Sequence, residues 1–207
     1  MPDRDPNITI VELAAFRLGP LLSEVVFTGG STVGLLITDP GATYIRPTKD
    51  VDVITEVSAI YGYYQISDKL RELGFKEDSS DGAPLCRWVN NGLILDVMPT
   101  DPDILGFSNR WYSESVRHAQ QQTLPSGNKI QCTSPPYFLA TKLEAFDGRG
   151  NNDYLLSHDI EDLVTVIDGR PEIIDDIAAS EPGLISYLAD RFEGLLQSRA
   201  FTDAVAG

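Results

Sequence analysis

The strongest constraint on the fold is an alternation of acidic and branched apolar residues in the segment Asp50-Val51-Asp52-Val53-Ile54. This alternation has the period of a β-strand, because successive side chains point to opposite faces of a sheet. Val51 and Val53 then point into a core, while the two aspartates share the other face with their Cα atoms roughly 6–7 Å apart. The segment therefore predicts either a solvated acidic face or a pair of carboxylates aimed at a common ligand.

A glycine-rich turn lies upstream of this acidic strand. Residues 24–27 predict a short buried strand, and Gly29, Gly30 and Ser31 follow it, with Ser31 eighteen residues before Lys49. Glycines accept positive φ and leave backbone N–H groups open to an anion, and a serine hydroxyl can donate to a phosphate oxygen. Most turns of this composition are only turns, so it is the position before the acidic strand that favours a phosphate site.

A third carboxylate, Asp96, interrupts the otherwise apolar residues 93–98. This run follows Asn90-Asn91-Gly92, which is typical of a tight hairpin turn. Burying a carboxylate without a partner is costly, so Asp96 needs a compensating positive charge. A shared metal ion and an arginine or lysine partner are the two alternatives, and the sequence leaves both open.

The three aspartates Asp50, Asp52 and Asp96 together predict a divalent-metal site. Hard oxygen ligands suit Mg²⁺, which keeps positions free for water and substrate phosphates, and Mn²⁺ accepts the same ligands. Because the glycine turn can approach phosphate, these residues predict a bound nucleoside triphosphate and a nucleotidyl-transfer reaction.

Composition excludes several other classes of protein. With 42% hydrophobic and 23% charged residues, the 207-residue chain is globular rather than disordered. Its net charge of -15 disfavours extended binding of nucleic acid, because the body of the protein repels phosphates. No apolar run predicts a signal core or a membrane span. Cys86 and Cys132 predict two buried thiols, and together these features predict a cytoplasmic protein.

The second half of the chain predicts helices in place of strands. We expect an α+β fold in which residues 1–133 form a mixed β-sheet core flanked by helices. Residues 134–207 are expected to form a helical region that packs back on the core and completes the active-site cleft. The predicted helices are residues 8–22, 55–73, 137–146, 157–167, 171–179 and 182–201.

Two charged residues of this helical region are candidates for the site. Phe138, Lys142 and Phe146 are spaced by four, so Lys142 emerges from the apolar side of its helix and must snorkel to water or meet an anion. Asp159 borders an apolar stripe that includes Ile160, which allows it to face inward. Its alternative role is that of an acid at a helix start.

Two motifs carry a family resemblance. Gly29-Gly30-Ser31, followed by Arg46-x-Thr48-x-Asp50-Val51-Asp52, resembles the polymerase-β-type nucleotidyltransferase superfamily. Lys142 on a later helix, followed by Asp159-Ile160-Glu161-Asp162-Leu163, is most similar to the AbiEii/AbiGii toxin-type branch. The resemblance covers roughly residues 24 to 168, and the two later motifs are the more specific ones.

The resemblance implies a nucleoside triphosphate and Mg²⁺ bound between the sheet and the helical half. It implies that Asp50 and Asp52 ligate the metal, that Ser31 contacts phosphate, that Lys142 contacts the triphosphate and that Asp159 completes the site. Lys49 is a further candidate for a phosphate contact, although solvent exposure or charge balance within the acidic cluster is its simpler role.

We therefore expect an Mg²⁺-dependent nucleotidyltransferase that transfers a nucleoside monophosphate to an acceptor hydroxyl. Asp96 is expected to act as a third metal ligand or as the general base. The acceptor is open between tRNA, protein and a small molecule such as an aminoglycoside, and a toxin-like enzyme would have an antitoxin partner. A catalytically inactive nucleotide- or partner-binding module of the same fold is the remaining alternative.

Overall fold

A computed structural model describes residues 5–42, 44–57 and 59–206 of the chain. Its centre is a seven-stranded mixed sheet in the order β3-β4-β5-β2-β1-β7-β6. The strands are β1 (Val25–Thr28), β2 (Asp50–Thr55), β3 (Lys76–Glu77), β4 (Arg87–Asn90), β5 (Leu93–Pro99), β6 (Gln120–Thr123) and β7 (Lys129–Cys132). The mixed sheet and its flanking helices confirm the predicted fold class.

The acidic strand β2 lies at the middle of this sheet. It pairs antiparallel with β1 on one side and parallel with β5 on the other. The register places Thr28 and Asp96 directly beside Asp52. Since residues opposite each other on neighbouring strands project from the same face, pairing alone brings Asp52 and Asp96 together.

Helices cover the sheet and build the second half of the chain. The later helices form one group, made of α6 (Pro135–Arg149), α7 (His158–Asp168), α8 (Ile173–Ala178), α9 (Pro182–Gln197) and α10 (Arg199–Val205). In this group α6 contacts α7, α8 and α9, and α9 contacts α10. The α7 helix also contacts the glycine turn, which lies in a 3₁₀ segment, Gly30–Thr32. The earlier helices are α1 (Ile8–Leu18), α2 (Val33–Leu36), α3 (Ile60–Glu72), α4 (Pro102–Leu105) and α5 (Tyr112–Arg117).

Several predicted helix ends are wrong, and local backbone chemistry explains two of them. The first helix ends at Leu18 because Gly19 adopts a φ of 48° and Pro20 follows, after which the chain continues as a 3₁₀ turn. The last predicted helix is two helices, because Ser198 is extended and its side chain caps α10. The helix predicted from residue 55 begins at Ile60, since β2 extends to Thr55.

The hairpin predicted at Asn90-Asn91-Gly92 is present. Asn91 and Gly92 form the turn between β4 and β5, with φ values of 46° and 86° that suit asparagine and glycine. Buried side chains from both halves of the chain form one apolar cluster, and the division at residue 133 stays a prediction. Cys86 and Cys132 are buried free thiols, as predicted. In the part of the chain that the structure describes, no helix is long and apolar enough to span a membrane.

Candidate active site

The acidic face of β2 opens into a cavity of about 540 Å³ between the sheet and helices α6 and α7. Six of the residues predicted for the site line this cavity, namely Gly30, Asp50, Asp52, Asp96, Lys142 and Asp159. A cavity of about 620 Å³ lies elsewhere, against the start of β1 and helix α3, and contains none of them. Residues as far apart in the sequence as Gly30 and Asp159 therefore line the same cavity.

Asp52 is the carboxylate of the site that lacks a partner. Among the described residues, none donates a hydrogen bond or forms an ion pair with it. Burial, and then the neighbouring charge of Asp50, raise the pKa of Asp52 from 3.8 to about 7, even though the positive charge of Lys142 lowers it. An unpaired carboxylate in such a place is unfavourable for the protein alone and favourable for a bound cation.

Gly29 has a specific role beside Asp52. Its φ is 73°, and a Cβ atom at this position would collide with the Asp52 carboxylate. The glycine therefore meets two requirements at once, a positive φ and a close approach of backbone to carboxylate. This explains why the turn needs glycine at this position, independently of any phosphate contact.

Arg87 neutralises the third carboxylate, which answers the question left open for Asp96. Its guanidinium donates from Nε to Asp96 Oδ1 at 2.8 Å and from a terminal nitrogen to Asp96 Oδ2 at 2.7 Å. The same nitrogen lies 3.0 Å from Asp50 Oδ2. Asp50 also accepts from the Thr48 hydroxyl at 2.7 Å. The sequence prediction named an arginine or lysine only in general terms and missed Arg87 itself.

The hairpin register contained the signal that would have identified Arg87. With Asn91 and Gly92 in the turn, Asn90 pairs with Leu93, and counting outward places Arg87 opposite Asp96. Cross-strand neighbours of opposite charge stabilise each other on one face of a sheet. A prediction of this turn therefore also predicts the Arg87–Asp96 pair.

Lys142 is buried between two aspartates. Its Nζ lies 2.7 Å from Asp162 Oδ2 and 3.2 Å from Asp159 Oδ1. Burial opposes the charged form, but the charges of Asp162 and Asp159 outweigh burial and raise the pKa of Lys142. Of the two alternatives predicted for Lys142, the structure shows pairing with buried anions. Lys142 also lines the cavity.

Asp159 faces inward from the first turn of α7. Ser157 is the capping residue, so Asp159 does not serve as the N-cap. Arg149 donates two hydrogen bonds of 2.8 Å to Asp159, and this interaction outweighs burial and lowers the Asp159 pKa. Arg149 follows Lys142 by seven residues on α6, which places both on one side of the helix. Arg149 was missed by the sequence prediction.

The rest of the glycine turn is close to these charges. Gly30 lines the cavity, and a Cβ atom there would lie 2.8 Å from an Arg46 nitrogen and 3.0 Å from Asp162 Oδ2. Arg46 and Asp162 are themselves paired at 3.0 Å. Ser31 is fully buried, and its hydroxyl has no hydrogen-bond partner among the described residues. Its role as a phosphate contact stays a prediction.

Lys49 lies apart from the other candidates. Its side chain is exposed, and it is not among the residues that line the cavity. The simpler alternative given for this residue, a solvated lysine before the acidic strand, agrees with this position. A phosphate contact from Lys49 stays a prediction.

Four basic side chains line the cavity beside its five aspartates, Asp50, Asp52, Asp96, Asp153 and Asp159. Arg46, Arg87, Lys142 and Arg149 all line it, although the chain carries a net charge of -15. These four cations come from three segments, since only Lys142 and Arg149 share helix α6, and for this reason the sequence shows no basic run. A cluster of this kind, lying beside carboxylates, suits an anionic ligand that also brings a cation.

The residues present fit a divalent ion at Asp50 and Asp52 better than at all three aspartates. Both oxygens of Asp96 accept from Arg87, whereas Asp52 is unpaired. Within residues 5–42, 44–57 and 59–206, no group of three His, Cys, Asp or Glu side chains is arranged to hold a metal ion. Mg²⁺ is commonly held by one or two carboxylates together with substrate phosphates. Asp52 with Asp50 would supply these carboxylates, and the hydrogen bonds that Asp50 accepts from Thr48 and Arg87 would have to rearrange.

Comparisons with known proteins address the fold. No protein-family profile and no curated protein sequence matches the chain. The solution structure of antibiotic-resistance factor ANT(2'')-Ia is similar, with a TM-score of 0.51 and 14% identity over 91% of this chain and 94% of that one. The crystal structure of an antigenic nucleotidyltransferase-like protein from Paracoccidioides brasiliensis gives a TM-score of 0.49 and 21% identity over 91% and 94%.

At such low identity the likeness concerns the fold, and the AbiEii/AbiGii branch stays a prediction. The superfamily-level expectation rested on the glycine turn and on the Asp50–Asp52 strand. The seven-stranded mixed sheet with these two features side by side agrees with it. The chain therefore has a nucleotidyltransferase-like fold, and its membership of the polymerase-β-type superfamily stays a prediction.

Proposed function

We propose that this protein is an Mg²⁺-dependent nucleotidyltransferase that moves a nucleoside monophosphate from a nucleoside triphosphate to an acceptor hydroxyl. One observation carries the proposal above the others. The Asp52 carboxylate, which has no hydrogen-bond or ion-pair partner among the described residues, lies beside Asp50 in a cavity that four basic side chains also line. A divalent cation bound to a triphosphate is complementary to both parts of this cavity.

The metal would be held by Asp50 and Asp52, with Mn²⁺ able to replace Mg²⁺. When bound, the ion would polarise the attacked α-phosphate and neutralise charge on the departing pyrophosphate. Asp96 is the candidate for a third ligand or for the base that accepts the proton of the hydroxyl. Since Arg87 holds both Asp96 oxygens, either role requires these hydrogen bonds to loosen.

The triphosphate would be held from the helical side of the cavity. Lys142 and Arg149 project from the same side of α6, and Gly30 lines the cavity close to Asp162 of α7. Asp159 and Asp162 keep Lys142 charged and fixed in position before the ligand arrives. Such a preorganised cation stabilises charge that develops on phosphate oxygens without reorganising during the reaction.

The reaction balances as a single displacement at phosphorus. The acceptor oxygen forms a bond to the α-phosphorus, the bond from that phosphorus to the bridging oxygen breaks, and pyrophosphate leaves. The proton of the acceptor hydroxyl passes to a carboxylate or to water. Positioning and charge stabilisation account for most of the catalysis expected from such a site.

The acceptor divides the proposal into two classes. A toxin-like enzyme would modify tRNA or a protein and would have an antitoxin partner. The second candidate is a small cationic acceptor of the aminoglycoside type. A net charge of -15 attracts cations and repels nucleic acid, and one protein of similar fold is an antibiotic-resistance factor.

Transfer of label identifies both the activity and the acceptor. The protein is incubated with each α-labelled triphosphate and Mg²⁺ or Mn²⁺, in parallel with pooled tRNA, protein or aminoglycosides. We expect label on one acceptor class and none with the Asp50→Asn/Asp52→Asn variant. Asp190→Asn, an exposed residue on α9, is the matched control and should retain activity. Absence of label from every acceptor would favour an inactive binding module.

A further inference from the structure

Arg87 holds a position between two carboxylates that a metal ion could otherwise bridge. Its guanidinium contacts Asp96 through two hydrogen bonds of 2.8 and 2.7 Å, and Asp50 through one of 3.0 Å. The Asp96 side chain is 9% exposed, so this pairing is largely shielded from water. Hydrogen bonds of this bidentate kind are among the strongest that a carboxylate forms in a protein.

The three aspartates differ in how their charges are compensated. Asp96 and Asp50 both accept hydrogen bonds from Arg87, whereas Asp52 has no hydrogen-bond or ion-pair partner among the described residues. In a site with two metal ions, the ions lie about 3.5–4 Å apart and share carboxylates between them. Here the part of the cluster at Asp50 and Asp96 already contains a fixed positive charge.

Resting on the nucleotidyltransferase function proposed above, we propose that Arg87 replaces one of two divalent ions. The protein then binds a single ion at Asp50 and Asp52, and the guanidinium is the permanent cation at Asp50 and Asp96. Arg87 is in this account a positioning residue that fixes both carboxylates. Arginine suits the role because it stays charged at every working pH and matches carboxylate geometry with its planar fork.

The strand pairing makes this arrangement a built feature of the fold. Arg87 and Asp96 are direct partners across the β4–β5 hairpin, and Asp96 in turn lies beside Asp52 across the parallel β5–β2 pair. Three neighbouring strands thus present Arg87, Asp96 and Asp52 in one row across the sheet. Backbone register, rather than a flexible surface contact, places the guanidinium at the site.

Counting bound Mn²⁺ ions tests the inference directly. Mn²⁺ alone is titrated into the full-length protein, and electron paramagnetic resonance measures the free ion. We expect one bound ion for the wild type and a second ion for Arg87→Met, which frees Asp96 and the facing oxygen of Asp50. Arg199→Met is the matched control, since Arg199 is 93% exposed on α10, and it should bind one ion.

A conservative variant and thermal unfolding keep the test decisive if Arg87→Met folds poorly. Arg87→Lys retains one positive charge at the position and should bind one ion, as the wild type does. Arg87→Met should unfold at a lower temperature than the wild type, and saturating Mn²⁺ should raise its midpoint more than that of the wild type. An Mn²⁺-induced shift equal to that of the wild type would overturn the inference.

The outcomes also separate this inference from the proposed function. Two ions on the wild type, or one ion on Arg87→Met, would overturn the role of Arg87 and leave the proposed function intact. If the wild type binds no Mn²⁺ and Asp52→Asn behaves identically, the metal site itself is wrong, and the inference falls with it. Loss of the single wild-type ion in Asp52→Asn is the result that we expect.

Discussion

The carboxylate of Asp52 lies directly against the backbone of Gly29, so close that a Cβ atom at position 29 would collide with it. The contact joins the end of β1 to the acidic strand β2, and it holds the glycine turn beside the proposed metal ligand. The acidic strand and the glycine turn are therefore two parts of one local structure.

Gly29→Ala is expected to destabilise the protein and to abolish activity. The substitution places a side chain at a φ of 73° and a ψ of -170°, a backbone region that essentially only glycine adopts, which costs about 1–3 kcal/mol, and it also displaces Asp52. Gly82→Ala separates the two effects, because Gly82 has a φ of 80° and open space around its Cβ position. Thermal unfolding should show a clearly larger loss for Gly29→Ala, and equal losses would contradict the collision with Asp52.

Asp52→Asn is expected to stabilise the folded protein above neutral pH. Because the pKa of Asp52 is about 7 when folded and near 4 when unfolded, the folded state binds more protons between these values. The carboxylate therefore makes stability fall as pH rises from about 4 to 7, and the penalty is complete above that range. Each unit of pKa shift corresponds to about 1.4 kcal/mol, so the gain from removing the charge is measurable.

Denaturant unfolding at several pH values, without metal, checks this expectation. The stability difference between Asp52→Asn and the wild type should be largest at pH 8 and should shrink toward pH 4. Asp190→Asn on the exposed side of α9 should show no such pH-dependent gain. An Asp52→Asn variant that is no more stable than the wild type at pH 8 would show that the carboxylate is already compensated.

Lys142→Met is expected to cost about 3–5 kcal/mol of stability, since it leaves two buried carboxylates without a shared partner. Asp159 keeps Arg149 and Asp162 keeps Arg46, which should place the loss near the lower end of that range. Urea unfolding measures the change, with Lys129→Met at the exposed first position of β7 as the control. A loss no larger than that of the control would contradict the buried ion-pair network.

Arg149→Ala is expected to affect nucleotide binding more than stability. Its side chain is 71% exposed, and Asp159 keeps its ion pair with Lys142 when Arg149 is removed, so we expect only a modest loss of stability. If Arg149 contacts the triphosphate, the KM for nucleotide should rise roughly tenfold, which corresponds to a loss of about 1.4 kcal/mol. Arg199→Ala controls for removal of an exposed arginine. An unchanged KM would assign Arg149 to the fixation of Asp159 alone.

Local patterns predicted the parts of this site that strands and helices carry. The alternation at Asp50 and Asp52 identified β2, the hairpin signal identified β4 and β5, and helical spacing placed Lys142 on an inward face. Each of these inferences needed only side-chain period or turn chemistry. Helix ends were less predictable, since a single residue such as Gly19 or Ser198 decides them.

The missed residues are those whose roles depend on pairing between distant elements. Arg149 has no distinctive local pattern, and it reaches Asp159 only because α6 and α7 pack together. Arg46 was recognised as part of a motif, but its pairing with Asp162 was missed, since the two residues are 116 positions apart in the chain. Of these residues, only Arg87 could have been predicted from the sequence. The predicted turn fixes the register of the hairpin, and that register places Arg87 opposite Asp96.

The most direct test of the central claim is label transfer from an α-labelled triphosphate by Asp52→Asn at pH 8. This variant is expected to be at least as stable as the wild type, so lost activity cannot be attributed to unfolding. We predict that transfer falls by roughly a hundredfold or more, as expected when a metal ligand is removed from a metal-dependent site. Transfer at the wild-type rate by a folded Asp52→Asn protein would contradict the account.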